Sequence, residues 1–278
     1  SVAGKTPDQY AQEKADYAYA IEDYNARMAR VTLSKDDMVA YREATKDIVF
    51  PWPPPMGPDA YRRPCGLHET IVIANPNAPP SLLAPVAAIE EVLRTNPDNI
   101  VVVDETYVEF APAGSSCLPL LEKYENLVIT HTFSKTHNLA GARLGYCIAR
   151  PELIADMNRV KFSYSPYNVN SMTQAAGTAA IRDEAYFRDI TAKLLATRAD
   201  TTEKLRQRGF TVFDSATNFL FATTDRMPCR EIFEKLRAQG ILIRHFNAPR
   251  ISNYLRITIG TDAEMQRFFT VLDEILAH

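Results

Sequence analysis

The chain has 278 residues, a formal net charge of −3 at pH 7 and a sequence pI near 6.0. This length is sufficient for one large domain or for two smaller domains with well-buried cores. Because basic residues are not in excess, the composition argues against a nucleic-acid partner, and a small anionic ligand would have to be held by local charges.

The cysteines are widely spaced and form no CxxC pair, so the sequence suggests neither a zinc site nor a disulfide framework. No apolar run approaches the roughly 20 residues that span a bilayer, and residues 1–20 are too polar for a signal peptide. We therefore expect reduced thiols, no membrane association and a cytoplasmic location. The four cysteines are Cys65, Cys117, Cys147 and Cys229.

The first 46 residues have the composition of helices, with no glycine or proline between Pro7 and Pro51. A proline-dense segment, Phe50–Pro58, cannot continue a helix. We expect residues 1–56 to form a helical N-terminal segment whose role the sequence does not assign. Its tyrosines have a roughly helical spacing that fits a packed helix face, and they are Tyr10, Tyr17, Tyr19 and Tyr24.

From residue 57 onward, short β-branched runs alternate with helical segments, a pattern typical of a parallel sheet with crossover helices. The runs are mostly apolar, as expected for strands that are covered on both faces. Between the first two runs, Ser81 is expected to cap a helix over Leu82–Thr95. The three predicted strands are Thr70–Ala74, Ile100–Asp104 and Leu127–Thr132.

After Pro151 the pattern becomes helical, and Gly209 is expected to end the last of these helices. The remaining sequence predicts a small α+β domain. The predicted helices are Glu152–Lys161, Ser171–Arg182, Glu184–Arg208, Cys229–Ala238 and Asp262–Ala277, and the predicted strands are Thr211–Phe213, Phe219–Ala222, Ile241–Arg244 and Leu255–Ile259.

The chain is therefore expected to have four regions. After the N-terminal segment, residues 57–160 form the ligand-binding portion of a large α/β domain, and residues 161–208 form connecting helices. Residues 209–278 form a smaller C-terminal α+β domain.

Ligands of open α/β sheets bind beyond the carboxyl ends of the strands, so the residues that end the predicted strands are candidates for a site. Asp104 in VVVDETY could by itself simply cap a loop. Lys135 in THTFSKTH could by itself be a solvated surface residue, but partial burial with Arg143 nearby would favour an uncharged, nucleophilic amine. Several such signals at one sheet edge favour a functional site.

Four ordered motifs, NPNAPP, DETYVEF, TFSKTHNLAGARLGY and YLRITIGT, resemble those of the class I/II (fold-type I) aminotransferases that use pyridoxal 5'-phosphate (PLP), and most closely the histidinol-phosphate aminotransferases. The resemblance extends from near Gly57 to the C-terminus. It implies a mostly parallel sheet domain with helices on both faces, in which residues 57–160 bind PLP, and a smaller C-terminal α+β domain.

The resemblance also implies a function. The enzyme would transfer an amino group from a phosphate-bearing amine, such as histidinol phosphate, to 2-oxoglutarate in histidine biosynthesis. The site would lie at the interface of a homodimer.

The resemblance assigns three residues to the reactive part of the cofactor. Lys135 would hold PLP as a Schiff base and later act as the acid/base that moves the substrate proton. Asp104 would pair with the protonated pyridine nitrogen, which keeps the ring an effective electron sink. Tyr107 would hydrogen-bond the phenolic oxygen.

The turn after the first strand departs from the family pattern, which usually ends Asn-Pro-Thr-Gly with that asparagine on the cofactor. Here Ala78 occupies the asparagine position, and Pro80 and Ser81 replace Thr-Gly. We expect Asn77 to contact the cofactor instead.

The cofactor phosphate would be bound by the guanidinium of Arg143 and the hydroxyls of Thr132 and Ser134, which suit a dianion. The family also carries a glycine turn that grips the phosphate and an aromatic residue that stacks on the ring, and neither is found in residues 1–56. No glycine lies between Gly4 and Gly57. A tyrosine of the N-terminal segment could replace the stacking residue.

The substrate anions would be bound by arginines of the C-terminal domain. The resemblance assigns Arg256 to the acidic group of the substrate, with Arg244 on a neighbouring strand and Asn218 near the same pocket. A structural ion pair with an aspartate or glutamate is the alternative for Arg256. The histidines His131, His137 and His245 have no ligand spacing, and we assign none of them to a metal.

Two other functions remain open. One is a PLP-dependent decarboxylase resembling threonine-phosphate decarboxylase, which shares these motifs. The other is a non-catalytic protein on a degenerate aminotransferase scaffold, which the missing glycine turn suggests.

Overall fold

The computed structural model describes residues 70–165, 167 and 169–277, so the predicted N-terminal segment lies outside the described residues. The described part contains two four-stranded sheets, and both belong to one compact unit. Within it, no helix combines the length and the apolar character that a membrane span requires.

The first sheet has the order β1, β2, β3, β4. The first three strands are parallel, as predicted, and α1 provides the crossover from β1 to β2. The fourth strand pairs antiparallel with β3 and was not predicted. These elements are β1 (Ile71–Ala74), α1 (Val86–Thr95), β2 (Val101–Asp104), β3 (Leu127–Thr132) and β4 (Gly145–Ala149).

One face of this sheet forms a core with α1. The helix buries Ile89, Val92 and Leu93, whose spacing places them on one side of a helix. Each such fully buried side chain stabilises the fold by about 1.5–3 kcal/mol relative to exposure. Val103 of β2 lies in the same core, and side chains alternate along a strand, so Asp104 leaves the sheet on the other face.

The prediction that Ser81 caps α1 was wrong. The helix begins at Val86 after Pro85, and no side chain caps it. Ser81 is instead fully buried in the preceding loop, where its hydroxyl donates to the carbonyl of Pro80 and its φ is 67°. Such a loop residue cannot serve as a cap because four residues separate it from the first turn of the helix.

Three helices follow the first sheet, α2 (Pro151–Tyr164), α3 (Ser171–Arg182) and α4 (Glu184–Gln207), in agreement with the helical pattern of the sequence. The α4 helix begins where Asp183 accepts a hydrogen bond from the backbone of Tyr186. It is followed by Gly209 in the left-handed region, as predicted. The α2 helix belongs to a different compact unit from the two sheets.

The second sheet is antiparallel and has the order β5, β6, β8, β7. Its core contains Leu220 of β6 together with Ile232 and Leu272 from two helices. A capping box between Thr261 and Glu264 begins the last helix. The predicted α+β pattern is confirmed here, whereas the four region boundaries stay a prediction. The elements are β5 (Phe210–Val212), β6 (Phe219–Thr224), α5 (Cys229–Ala238), β7 (Arg244–His245), β8 (Leu255–Thr258) and α6 (Asp262–Leu276).

Candidate active site

The carboxyl ends of β2 and β3 bring together a lysine and a tyrosine. Asp104 ends β2, and Lys135 follows β3 by three residues. Because these strands are parallel neighbours, their ends meet at one edge of the sheet. The Nζ atom of Lys135 lies 5.5 Å from the centroid of the Tyr107 ring. Two of the residues predicted to contact the reactive part of a cofactor are therefore adjacent.

The carboxylate of Asp104 is oriented by the residue two positions on. Its Oδ1 atom accepts a hydrogen bond of 3.0 Å from the backbone N–H of Thr106 and one of 2.5 Å from the Thr106 hydroxyl. The Asp104 residue is only partly buried. The local turn therefore holds an anionic group at the edge of the sheet where Lys135 lies.

The next residue, Glu105, is fully buried and anchors this strand end. Its carboxylate accepts hydrogen bonds from the Cys117 backbone at 2.6 Å and the Ser116 hydroxyl at 2.7 Å, and it lies 3.3 Å from Nε2 of His131. Burial lowers the pKa of His131, but its hydrogen bonds to Glu105 and Glu109 outweigh burial and raise that pKa to about 9. His131 thus lies within hydrogen-bonding or ion-pair distance of both carboxylates. Across the part of the chain that the structure describes, no group of histidine, cysteine and acidic side chains could hold a metal ion.

The residues predicted to bind a phosphate lie at the end of β3, in the turn after it and just before β4. The hydroxyl of Thr132 accepts a 3.1 Å hydrogen bond from the backbone of Ser134 and lies 3.5 Å from the Leu144 carbonyl. Arg143 is exposed, and its Nη1 atom donates to the carbonyl of Ala140 at 3.0 Å. These contacts shape the turn, and the phosphate assignment stays a prediction.

Asn77 and Asn75 brace the loop between β1 and α1. Oδ1 of Asn77 accepts a 2.9 Å hydrogen bond from the backbone of Leu82, and the Asn75 amide bonds both backbone groups of Ala84, at 2.8 and 3.1 Å. Ala78, at the position of the family's asparagine, is exposed. The Asn77 oxygen is therefore engaged in its own loop, and a cofactor contact by this residue stays a prediction.

The two predicted arginines face each other across β7 and β8, where Arg244 pairs with Arg256. The Nε atom of Arg256 is buried without a hydrogen-bond partner, and no acidic side chain among the described residues forms an ion pair with it. Burial lowers the pKa of Arg256, with a further lowering by the charge of Arg244. Among the described residues, Arg256 therefore does not form the structural ion pair that was the alternative to a substrate-binding role.

Phe219, which the sequence analysis did not single out, connects the two groups of residues. Its ring lies 4.9 Å from the guanidinium carbon of Arg256 and 5.4 Å from the Tyr107 ring in an edge-to-face arrangement. A phenylalanine in an apolar strand is indistinguishable in sequence from a core residue. The backbone carbonyl of Asn218, the residue directly before Phe219, accepts a hydrogen bond from the backbone N–H of Ile259.

Arg198 of α4 is a second residue that the sequence did not reveal. Its Nη1 atom donates to the carbonyls of Phe110 at 3.1 Å and Thr217 at 2.7 Å. Burial lowers the pKa of this guanidinium. It joins the turn that follows Tyr107 to the segment that precedes Phe219, and an arginine within a charged helix gives no sequence signal for such a role.

The model of the family "Aminotransferase class I and II" matches residues 33–272, a range that begins before the motif resemblance near Gly57. A histidinol-phosphate aminotransferase of Brachyspira hyodysenteriae is 42% identical over 210 residues, which are 76% of this chain and 59% of the relative. The chain thus spans about three fifths of the length of this relative.

Two solved structures are also similar. The histidinol-phosphate aminotransferase of Sinorhizobium meliloti, in complex with pyridoxal-5'-phosphate, has a TM-score of 0.66 and 28% identity, covering 75% of this chain and 57% of that one. The L-threonine-O-3-phosphate decarboxylase of Porphyromonas gingivalis has a TM-score of 0.64 and 27% identity, covering 74% and 64%. The expected fold class, a fold-type I sheet domain with a smaller second domain, is confirmed.

Proposed function

The chain belongs to the aminotransferase class I and II family, and from this premise we propose that it is a PLP-dependent aminotransferase of the histidinol-phosphate type. Its substrates are a phosphate-bearing amine and 2-oxoglutarate. The proposal includes a homodimer, a cytoplasmic location and a place in histidine biosynthesis. The observation that carries it is the position of Lys135 beside Tyr107 at the sheet edge where Asp104 ends β2.

The residues at this edge fit PLP. When bound, PLP supplies an aldehyde that forms a covalent bond with an amine and a ring that withdraws electrons from the substrate carbon. Lys135 would supply that amine and, when its amine is free again, would move the proton at the substrate carbon. Asp104 would accept a hydrogen bond from the pyridine nitrogen, and Tyr107 would donate one to the phenolic oxygen.

The phosphate of the cofactor is bound by Arg143 with the hydroxyls of Thr132 and Ser134. An exposed guanidinium next to a turn rich in hydroxyls is a suitable donor set for a dianion. Asn77 contributes the polar group that Ala78 lacks.

The substrate anions are bound by Arg256 and Arg244, with Asn218 beside them. Support for this comes from the buried, unpartnered Nε atom of Arg256, because a buried donor without a partner destabilises the protein until a ligand satisfies it. Two neighbouring cations without an intervening acidic side chain favour a doubly charged ligand.

The absorbance spectrum of the purified protein with added PLP tests the proposal. We expect a band at roughly 400–430 nm, as for PLP joined to a lysine, in the wild type and in Lys123→Ala. The band should be absent in Lys135→Ala. Lys123 is a suitable control because it is an exposed lysine paired with Glu90. A colourless wild-type protein would contradict the proposal and favour the non-catalytic alternative.

A PLP-dependent decarboxylase is the second candidate, and the similarity to the threonine-phosphate decarboxylase structure favours it. Product analysis separates the two functions. Glutamate formed from 2-oxoglutarate and histidinol phosphate supports the aminotransferase, whereas carbon dioxide released from threonine phosphate supports the decarboxylase.

A further inference from the structure

Arg256 raises the question of how an arginine without an acidic partner is held in place. The residue is partly buried, and the charge of Arg244 on the neighbouring strand repels it. Long arginine side chains lose considerable rotamer entropy when they are ordered, so some contact must compensate for that loss. The one cation–π contact of Arg256 in the described part of the chain is with the ring of Phe219, 4.9 Å away.

An aromatic face and a carboxylate differ in whether they leave the N–H donors and the charge of a guanidinium available to a ligand. A carboxylate would occupy the N–H donors of Arg256 and neutralise its charge. The electron-rich face of a phenylalanine attracts the cation without forming hydrogen bonds in the plane of the guanidinium. A guanidinium held in this way keeps its charge and its donors for a ligand.

The Phe219 ring is itself held firmly. The residue is 2% exposed, and its ring meets Tyr107 edge-to-face with an interplanar angle of 89°. Its backbone carbonyl accepts hydrogen bonds from the hydroxyls of Ser215 at 2.6 Å and Thr217 at 3.1 Å. The ring therefore connects the tyrosine at the cofactor end to the arginine at the anion end.

We propose that Phe219 is a positioning residue for substrate binding, whose ring holds the guanidinium of Arg256 in place and leaves its N–H groups free for a carboxylate or phosphate of the substrate. The inference rests on the proposed function in one respect, that Arg256 binds the anionic group of the substrate. It adds a specific prediction, that the aromatic face at position 219 sets the affinity for that anion.

The test is the binding of glutarate, a dicarboxylate of the same length as 2-oxoglutarate, to the full chain without added PLP by titration calorimetry. Phe219→Leu should raise the dissociation constant by roughly 2- to 30-fold, the range of a cation–π contact. Phe219→Tyr keeps the aromatic face and should stay within about twofold of the wild type. If the leucine variant does not fold, Phe219→Met replaces it, because the flexible methionine side chain fills irregular gaps in a core without an aromatic face, and the same 2- to 30-fold increase is expected.

The control is Phe210→Leu. Phe210 is a buried phenylalanine of the same sheet, 4% exposed, but it lies on β5, where it pairs with Thr224 of β6 and not with β7 or β8, which carry the two arginines. This variant should bind glutarate like the wild type, although it removes the same volume from the core. Arg256→Gln should bind glutarate more weakly than any of the phenylalanine variants.

Several results would overturn the inference. These are wild-type affinity in both Phe219→Leu and Phe219→Met, equal weakening in Phe219→Tyr, equal weakening in Phe210→Leu, or no glutarate binding by the wild type. Because glutarate has no amino group and its binding is measured without added PLP, the result does not depend on the covalent chemistry that the absorbance test at Lys135 examines. A failure of the proposed cofactor chemistry and a failure of this inference are therefore distinguishable.

Discussion

His131 of β3 lies between two carboxylates, with its Nε2 atom 3.3 Å from the fully buried Glu105 and its Nδ1 atom 3.1 Å from Glu109. Its ring also stacks on Tyr146 of the neighbouring strand, with centroids 5.1 Å apart. Because Glu105 directly follows Asp104, this cluster fixes the strand end that carries the proposed pyridine partner. A protonated imidazole between two acids makes the stability of this strand end depend on pH.

The cluster predicts a pH-dependent contribution to folding. The pKa of His131 is about 9 in the folded protein against 6.5 for the free group, so its stabilising effect is complete below pH 6.5 and is lost as the pH rises through 9. We expect the difference in unfolding free energy between wild type and His131→Gln to shrink by about 3 kcal/mol over this interval. Urea unfolding at about pH 6 and about pH 10 measures it. A difference that does not change with pH would refute the prediction.

The second prediction concerns Arg198. Arg198→Met removes two charge-assisted hydrogen bonds and leaves the carbonyls of Phe110 and Thr217 without this donor, so we expect a loss of about 2–4 kcal/mol in the free energy of unfolding. Arg206→Met on the same helix is the control, since its partner Asp214 is 97% exposed and the pair contributes less than about 1 kcal/mol. Equal stability of the two variants in urea unfolding would show that Arg198 does not join the segments.

The third prediction compares two glycines near the lysine turn. A Cβ atom at Gly145 would lie 2.8 Å from the backbone oxygen of His131, which the pairing of β3 and β4 holds in place. Gly145→Ala should therefore destabilise the protein by about 1–3 kcal/mol. At Gly141 no atom lies within 4 Å of such a Cβ, so Gly141→Ala should be nearly neutral. Thermal unfolding of both variants tests the contrast, and a neutral Gly145→Ala would contradict the geometry.

The fourth prediction concerns the loop in which the family has a glycine and this chain has Ser81. A non-glycine residue with a φ of 67° is strained, so Ser81→Gly should raise the free energy of unfolding by about 1 kcal/mol. Ser81→Ala keeps the Cβ atom and loses the hydroxyl, and it should not stabilise the protein. If urea unfolding shows Ser81→Gly and Ser81→Ala to be equally stable, the positive φ of residue 81 does not destabilise the wild-type protein.

Much of the fold could be predicted because its signals are local. The three parallel strands are mostly apolar runs, and α3 and α5 have the bounds that their sequences predict, Ser171–Arg182 and Cys229–Ala238. The β4 strand was missed because Gly145–Ala149 begins with glycine, a residue that is depleted in strands. The start of α1 was placed too early because Ser81 resembles a cap in sequence although it lies in a buried loop.

The sequence by itself determined the family, predicted most of the elements in order and singled out the motif residues Lys135, Asp104 and Tyr107, since short-range patterns carry all three. Only the tertiary structure decided what surrounds them. The contact of Arg256 with Phe219 and the hydrogen bonds from Arg198 join residues that are distant in sequence, and they exist because the two sheets fold into one compact unit. Residue types alone do not specify such contacts, because an arginine or a phenylalanine has the same local signal whether it faces solvent, the core or a ligand.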